Sequence, residues 1–199
     1  MIVLTAFVLA GGQSTRMGQD KAFLTLAGRT LLDRALEVAG SLTRDVYIAG
    51  DAAKFAAFGP VVEDVYRQRG PLGGIHAALR RSTSELNLML AVDLPFVNLR
   101  FLQYLVVEAH ESGATVTVPR VAGGWQPLCA VYRREFGEQA HQSLSEGRNR
   151  VDSLFLPSLT HVITEEEMIR NAFPLDMFRN LNTPEDLETA RECITEKSS

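Results

Sequence analysis

The densest concentration of chemistry lies near the start of the chain. The apolar run Ala6-Phe7-Val8-Leu9-Ala10 empties into Gly11-Gly12-Gln13-Ser14-Thr15-Arg16-Met17-Gly18-Gln19-Asp20-Lys21. A short buried strand followed by such a loop brings bare backbone N–H groups and two cations to one place, which suits a polyphosphate. Gly11 and Gly12 can turn sharply against a ligand. Arg16 offers a planar fork for phosphate oxygens and Lys21 a mobile point charge. The loop is neither of two common phosphate loops. Gly18 is followed by Gln19-Asp20 rather than Lys-Ser/Thr, and the adjacent Gly11-Gly12 pair breaks the G-x-G-x-x-G spacing. A plain turn would need glycines but not an arginine and a lysine as well.

A second signal is Asp93, directly after the apolar stretch ending in Val92 and before Leu94-Pro95. A carboxylate at a strand's carboxyl end, facing a polyphosphate loop, can hold Mg²⁺, an ion that takes one or two protein carboxylates plus phosphate and water oxygens. The competing role is a cap for the next helix, but Asn98 is nearer that helix start. Asp64 follows Val61-Val62-Glu63 and reads equally as a solvated loop acid or a ligand contact. Gly70-Pro71-Leu72-Gly73-Gly74-Ile75 opens a helix; its glycine pair serves either tight packing or a ligand's close approach. Asn180 and Asn182 flank Leu181, so they share one face of an extended segment and could read a heterocycle, or simply cap a helix. Trp125 could stack on such a ring or cover a loop. Arg148 and Arg150 form a small basic loop, either solvated or attracting a second substrate's phosphate. His76 reads as a helix-face residue, and His110, His141 and His161 show no metal-ligand spacing. No Gly-x-Ser-x-Gly occurs and no Cys-His arrangement is apparent, so covalent catalysis is not expected.

The elements that must position these residues alternate. Strands are expected at 6–10, 45–49, 60–62, 86–92, 114–118, 128–132 and 159–163, with 86–92 central because it is apolar nearly throughout. Helices are expected at 30–39, 72–82, 98–111, 133–146 and 184–195. In the third helix Leu99, Leu102, Val106 and Ala109 fall on one face; Thr183 can cap the last. The alternation implies an α/β fold with a mostly parallel central sheet and helices on both faces. The first loop, Ala49-Gly50-Asp51, Glu63-Asp64 and Asp93 all follow strands and should gather along one sheet edge.

Bulk properties agree. The chain has 199 residues, enough for one domain with a real core, and is 46% hydrophobic and 22% charged. Its net charge of −4 argues against nucleic-acid binding through a broad basic face. No apolar stretch is long enough to span a bilayer. Met1 to Ala10 lacks the basic residue of a signal peptide and reads as the first strand. Cys129 and Cys193 form no C-x-x-C, so the cytoplasm is the expected compartment.

The segment Leu-Ala-Gly-Gly-x-Ser-x-Arg-Met-Gly-x-Asp-Lys resembles the opening of the nucleotidyltransferases that build the molybdenum cofactor, above all the molybdenum cofactor guanylyltransferases. Glu63-Asp64, Gly70-Pro71-Leu72-Gly73-Gly74-Ile75, Asp93-Leu94-Pro95-Phe96, Gln126-Pro127-Leu128 and Asn180-Leu181-Asn182-Thr183-Pro184-Glu185-Asp186-Leu187 continue the resemblance in order over nearly the whole chain. The resemblance implies a single-domain, Rossmann-like nucleotidyltransferase fold over 1–199. Its nucleotide part would span about 1–100 and its acceptor part about 101–199. It implies transfer of GMP from GTP to molybdopterin or its molybdenum form, with release of pyrophosphate. Catalysis would fall to Arg16, Lys21 and Asp93, and Mg²⁺ to Asp93. The substrates would contact Leu9, Ala10, Gly11, Gly12, Lys21, Asp64, Gly73 and Asp93, with Asn180 and Asn182, joined by Gln126-Pro127, on the pterin side. A molybdopterin-insertion protein or target-enzyme chaperone is a candidate partner. Alternatives are a cytidylyltransferase of the same pathway, a transferase acting on a sugar phosphate or cobinamide phosphate, and a non-catalytic nucleotide-binding protein. Leu9-Ala10-Gly11-Gly12 resembles the guanylyl branch, since the cytidylyl branch more often has alanine for the first glycine.

Overall fold

The computed structural model describes residues 2–11 and 20–196. In chain order the elements are β1 (Leu4–Leu9), a hairpin of β2 (Thr25–Leu26) and β3 (Arg29–Thr30), α1 (Leu31–Gly40), β4 (Val46–Ala49), α2 (Ala52–Phe55), β5 (Val61–Val62), α3 (Gly70–Arg81) and β6 (Leu86–Ala91). Then follow α4 (Leu99–Ser112), β7 (Val116–Val121), β8 (Gly124–Trp125), β9 (Cys129–Arg133), α5 (Phe136–Ser145), β10 (Thr160–Ile163), α6 (Glu165–Arg170) and α7 (Pro184–Glu196).

The main sheet runs β10-β7-β9-β6-β1-β4-β5, with β8 paired to β7. β6, β1, β4 and β5 are mutually parallel, whereas β9 is antiparallel to both β6 and β7. The stretch expected to be central is so: β6 is the fourth strand of seven. Its residues alternate between two cores. Leu86, Leu88 and Leu90 join the core shared with α1 and α4, and Met89 joins the core shared with α3 and α5. β1 alternates likewise, with Ala6 and Val8 on one face and Phe7 and Leu9 on the other. Burial on both faces is why these strands read as unbroken apolar runs. Both cores draw on residues either side of position 100, so the chain is one packed unit.

The expected elements are present, with shifts that have local causes. The helix expected from 133 begins at Phe136, because β9 continues to Arg133, whose guanidinium binds the Ala109 and Ala114 carbonyls and pairs with Glu85. The strand expected to end at 118 continues to Val121, where Ala122 and Gly123, both at positive φ, turn it into β8. Asn98 caps α4 by accepting the Phe101 N–H at 2.9 Å. On α4 the buried face is Phe101, Leu102, Leu105, Val106 and Ala109, with Leu99 only half-buried. Among the described residues no helix is long and apolar enough to cross a membrane.

Candidate active site

The carboxyl ends of β1, β4 and β6 open on a cavity of about 640 Å³. Leu9, Ala10 and Gly11 form its floor from β1, Ala49 from β4, and Ala91, Val92 and Asp93 from β6. The convergence expected from strand order therefore occurs for these segments. Not every acid joins it: Asp51 caps α2 by accepting the Ala53 N–H at 2.9 Å, and Glu63 accepts from the Ala52 N–H.

Lys21 and Asp93 meet at this cavity. Lys21 Nζ lies 3.3 Å from Asp93 Oδ2 and donates to Asn182 Oδ1 at 2.5 Å. Lys21 opens a single 3₁₀ turn, Lys21–Phe23, capped by Asp20, whose Oδ1 accepts the Ala22 N–H. The other carboxylate oxygen of Asp20 binds Lys54 Nζ at 2.8 Å, which raises the lysine's pKa. Asp93 is held through its backbone: its carbonyl accepts the Leu181 N–H at 3.0 Å, and Leu181 is fully buried. That bond brings the segment around Asn182 to the end of β6. The following turn is fixed by Asp186, whose Oδ2 accepts the Asn182 and Thr183 N–H groups, while Thr183 Oγ1 accepts the Asp186 N–H. These bonds hold the Asp186 carboxyl below the usual range. Asn180 is exposed and is not brought to Lys21.

Asp64 is half-buried, and burial raises its carboxyl pKa. It lines the cavity beside the start of α3, a helix with no side-chain cap and with Pro71 in its first turn. A Cβ on Gly73 would stand 2.9 Å from the Tyr66 carbonyl oxygen and 3.3 Å from Asp64 Oδ2. Gly74 and not Gly73 lines the cavity; Gly73 lets the Asp64 loop close on the helix. Gly12 and Arg16 lie outside the described residues.

Several cavity residues carry no functional signal in the sequence. Asp20 lies in the loop motif with no chemistry of its own to single it out, and Leu128 sits there because the Ala91 N–H donates to its carbonyl at 2.8 Å. Gln68, at φ +60°, belongs to a loop with no pattern of its own. Other candidates fall elsewhere. Arg148 pairs with Glu146 and Arg150 with Asp152. Trp125 packs edge-on against Phe155 with Arg120 over its face, the loop-covering alternative. Cys129 is fully buried and its thiol is pushed up to about 12, so it is no nucleophile. Glu108, His161 and Glu167 come from three elements, so no spacing rule could unite them. Each offers a ligand atom within 4.8 Å of the others, but His161 already binds Glu108 and Glu167 accepts from Tyr104.

Among the described residues, no ready-made cluster of ligands surrounds Asp93. A strand-end carboxylate in a cavity large enough for a nucleotide nevertheless fits Mg²⁺, which draws most of its ligands from phosphates and water. A lysine, an aspartate and an uncapped helix start around one cleft at a sheet's carboxyl edge are the equipment of an α/β enzyme that handles a nucleoside triphosphate.

Residues 6–159 match the family described as MobA-like NTP transferase domain, and the chain belongs to that family. A molybdenum cofactor guanylyltransferase from Desulfosudis oleivorans is 33% identical over 197 residues, covering 98% of this chain and 97% of that one. One from Syntrophotalea carbinolica is 32% identical over 189 residues, covering 94% and 90%. The crystal structure of molybdopterin-guanine dinucleotide biosynthesis protein A from Archaeoglobus fulgidus superposes with a TM-score of 0.83 at 26% identity, covering 96% of this chain and 99% of that one.

Proposed function

We propose that this protein is a molybdenum cofactor guanylyltransferase: it transfers GMP from GTP to the phosphate of molybdopterin or its molybdenum form. The meeting of Lys21 and Asp93 at the β1–β6 edge carries the reading, because it sets a cation and a carboxylate able to hold metal at one nucleotide-sized cavity. The full-length similarity to relatives of that name supports it.

In this reading GTP lies across the carboxyl ends of β1 and β6, within the part of the chain at about 1–100. Leu9, Ala10, Gly11 and Gly12 let its phosphates approach the backbone, and Asp64 contacts the nucleoside beside Gly73. Lys21 turns from Asp93 and Asn182 towards the phosphates, and Arg16 supplies a second cation. An oxygen of the acceptor's phosphate attacks the α-phosphorus; the bond from that phosphorus to the bridging oxygen breaks, and pyrophosphate leaves. The protein aligns the two substrates and offsets charge, so no protein nucleophile is required. Asp93 is the residue that would hold Mg²⁺, which when bound supplies further charge neutralisation at the phosphates. The pterin lies on the side of Asn180 and Asn182, in the part at about 101–199. A molybdopterin-insertion or target-enzyme chaperone is the expected protein partner, and the cytoplasm the expected compartment.

Purified protein given GTP, Mg²⁺ and molybdenum-loaded pterin should release pyrophosphate and form the guanine dinucleotide. Pyrophosphate release with CTP and none with GTP would overturn the choice of base; none with either would overturn the reaction.

A further inference from the structure

Away from the GTP cleft, α3 and α5 enclose a second cavity of about 320 Å³. Its charged lining is mostly cationic: Arg80 from α3 and Arg134 from the turn before α5, against the single acid Glu138. Neither guanidinium forms an ion pair with a described residue, although seven other described arginines or lysines do. His76 and His141 complete the wall, with their rings stacked at 5.6 Å between centroids.

His76 is the unusual member. It is 5% exposed, and its Nδ1 is buried without a hydrogen-bond partner. Burial lowers its pKa first, and His141 and Arg80 lower it further, against a smaller opposing effect of Glu138. A buried polar atom without a partner costs free energy, and it leaves the His76 ring short of one contact beside the cavity that the residue lines. Gly137 and Glu138 place the first turn of α5 here, but their N–H groups already donate to the Arg134 and Glu135 carbonyls. Two guanidiniums without ion-pair partners and two imidazoles favour a negative ligand with several acceptor oxygens.

We propose that this cavity binds an oxyanion of the phosphate class, held by Arg80 and Arg134 with His76 and His141 beside it. The site is separate from the GTP cleft and does not depend on the reaction assigned there. Tyr66 forms its border with the cleft's Asp64 loop: the phenol oxygen lies 3.0 Å from His141 Nδ1.

Imidazole NMR tests the proposal directly, because the chain has four histidines. His110 and His161 do not line the cavity and act as internal references. Each signal is assigned with single His→Gln variants. Inorganic phosphate and glycerol 2-phosphate are titrated in separate arms at about pH 7 and constant ionic strength, with chloride as the control. The expected result is a saturable shift of His76 and His141, with a dissociation constant in roughly the millimolar range and little movement of the references. An Arg80→Ala/Arg134→Ala double variant should bind at least about tenfold more weakly, since two charge-assisted contacts are lost. Saturation by phosphate alone would assign the free ion, and saturation by both would extend the site to monoesters. No saturable shift, equal shifts of all four histidines, or unchanged binding in the double variant with a wild-type melting curve would overturn the proposal. If the double variant fails to fold, Arg134→Gln alone is titrated against the same criterion.

Discussion

Lys21 Nζ stands 3.3 Å from Asp93 Oδ2, although the two residues are 72 positions apart. Parallel pairing of β1 with β6, in which Leu9 faces Ala91, brings the segments after those strands to the same edge. The lysine also holds Asn182, so one ammonium ties the loop after β1, the end of β6 and the approach to α7. Lys21→Ala should therefore weaken GTP binding by about ten- to a hundredfold, the loss of one charge-assisted contact. Both partners are partly exposed, so the melting temperature should change little. Calorimetric GTP titration and a thermal melt check both halves; wild-type affinity would remove Lys21 from the phosphate site.

Asp93→Asn should leave the fold intact, because the contact that positions residue 93 is its backbone carbonyl with Leu181. Turnover should fall by roughly 10²–10³, the scale for loss of one preorganised electrostatic contact. GTP affinity should no longer respond to added magnesium. Near wild-type turnover at limiting magnesium would end the metal assignment and make Asp64 the next candidate.

Asn98→Ala supplies the contrast to Asp93. Removing the acceptor that caps α4 should cost about 0.5–2 kcal/mol of stability and leave turnover largely unchanged. Denaturant unfolding beside steady-state kinetics separates the two. Lost turnover without lost stability would mean that the residue serves the site.

Asp64 predicts a pH signature. Its folded-state pKa is raised by burial, so the folded protein holds that proton more tightly than the unfolded chain does. The stability this provides is fully present below the ordinary carboxylate pKa and is lost as pH rises through the raised folded value. Asp64→Asn should accordingly melt higher than wild type at about pH 7.5 and close to it at about pH 4, with weaker GTP binding at neutral pH. Equal melting temperatures at both values would contradict the burial effect.

Gly73→Ala should push the Tyr66 carbonyl away from α3, since the new methyl would arrive at 2.9 Å from backbone. A strain of about 1–3 kcal/mol is expected, with weaker GTP binding through the displaced Asp64. Gly74→Ala is the control for stability alone, because its nearest contact is the Leu9 side chain at 3.4 Å and it lines the cavity itself. Equal losses of stability at the two positions would show that the close approach at Gly73 is unimportant.

What the amino-acid sequence determined by itself was the two-faced burial of β1 and β6, the helix alternation, the Asn98 cap and the edge at which Lys21, Asp64 and Asp93 gather. Local periodicity and the parallel connection rule are enough for these, since both act through neighbours in the chain. The tertiary structure alone decided that Asn182 reaches Lys21 while Asn180 does not, because that depends on the Leu181–Asp93 backbone bond across the fold. It also decided that Asp51 caps α2 instead of facing the cleft, that Gly74 and not Gly73 lines it, and that Trp125 covers a loop. The pairing of His76 with His141 was equally hidden, because their helices meet only when α3 and α5 pack on one face of the sheet. A side chain's type is written in the sequence, but its partner is set by packing between elements remote in the chain, and no local pattern encodes that distance.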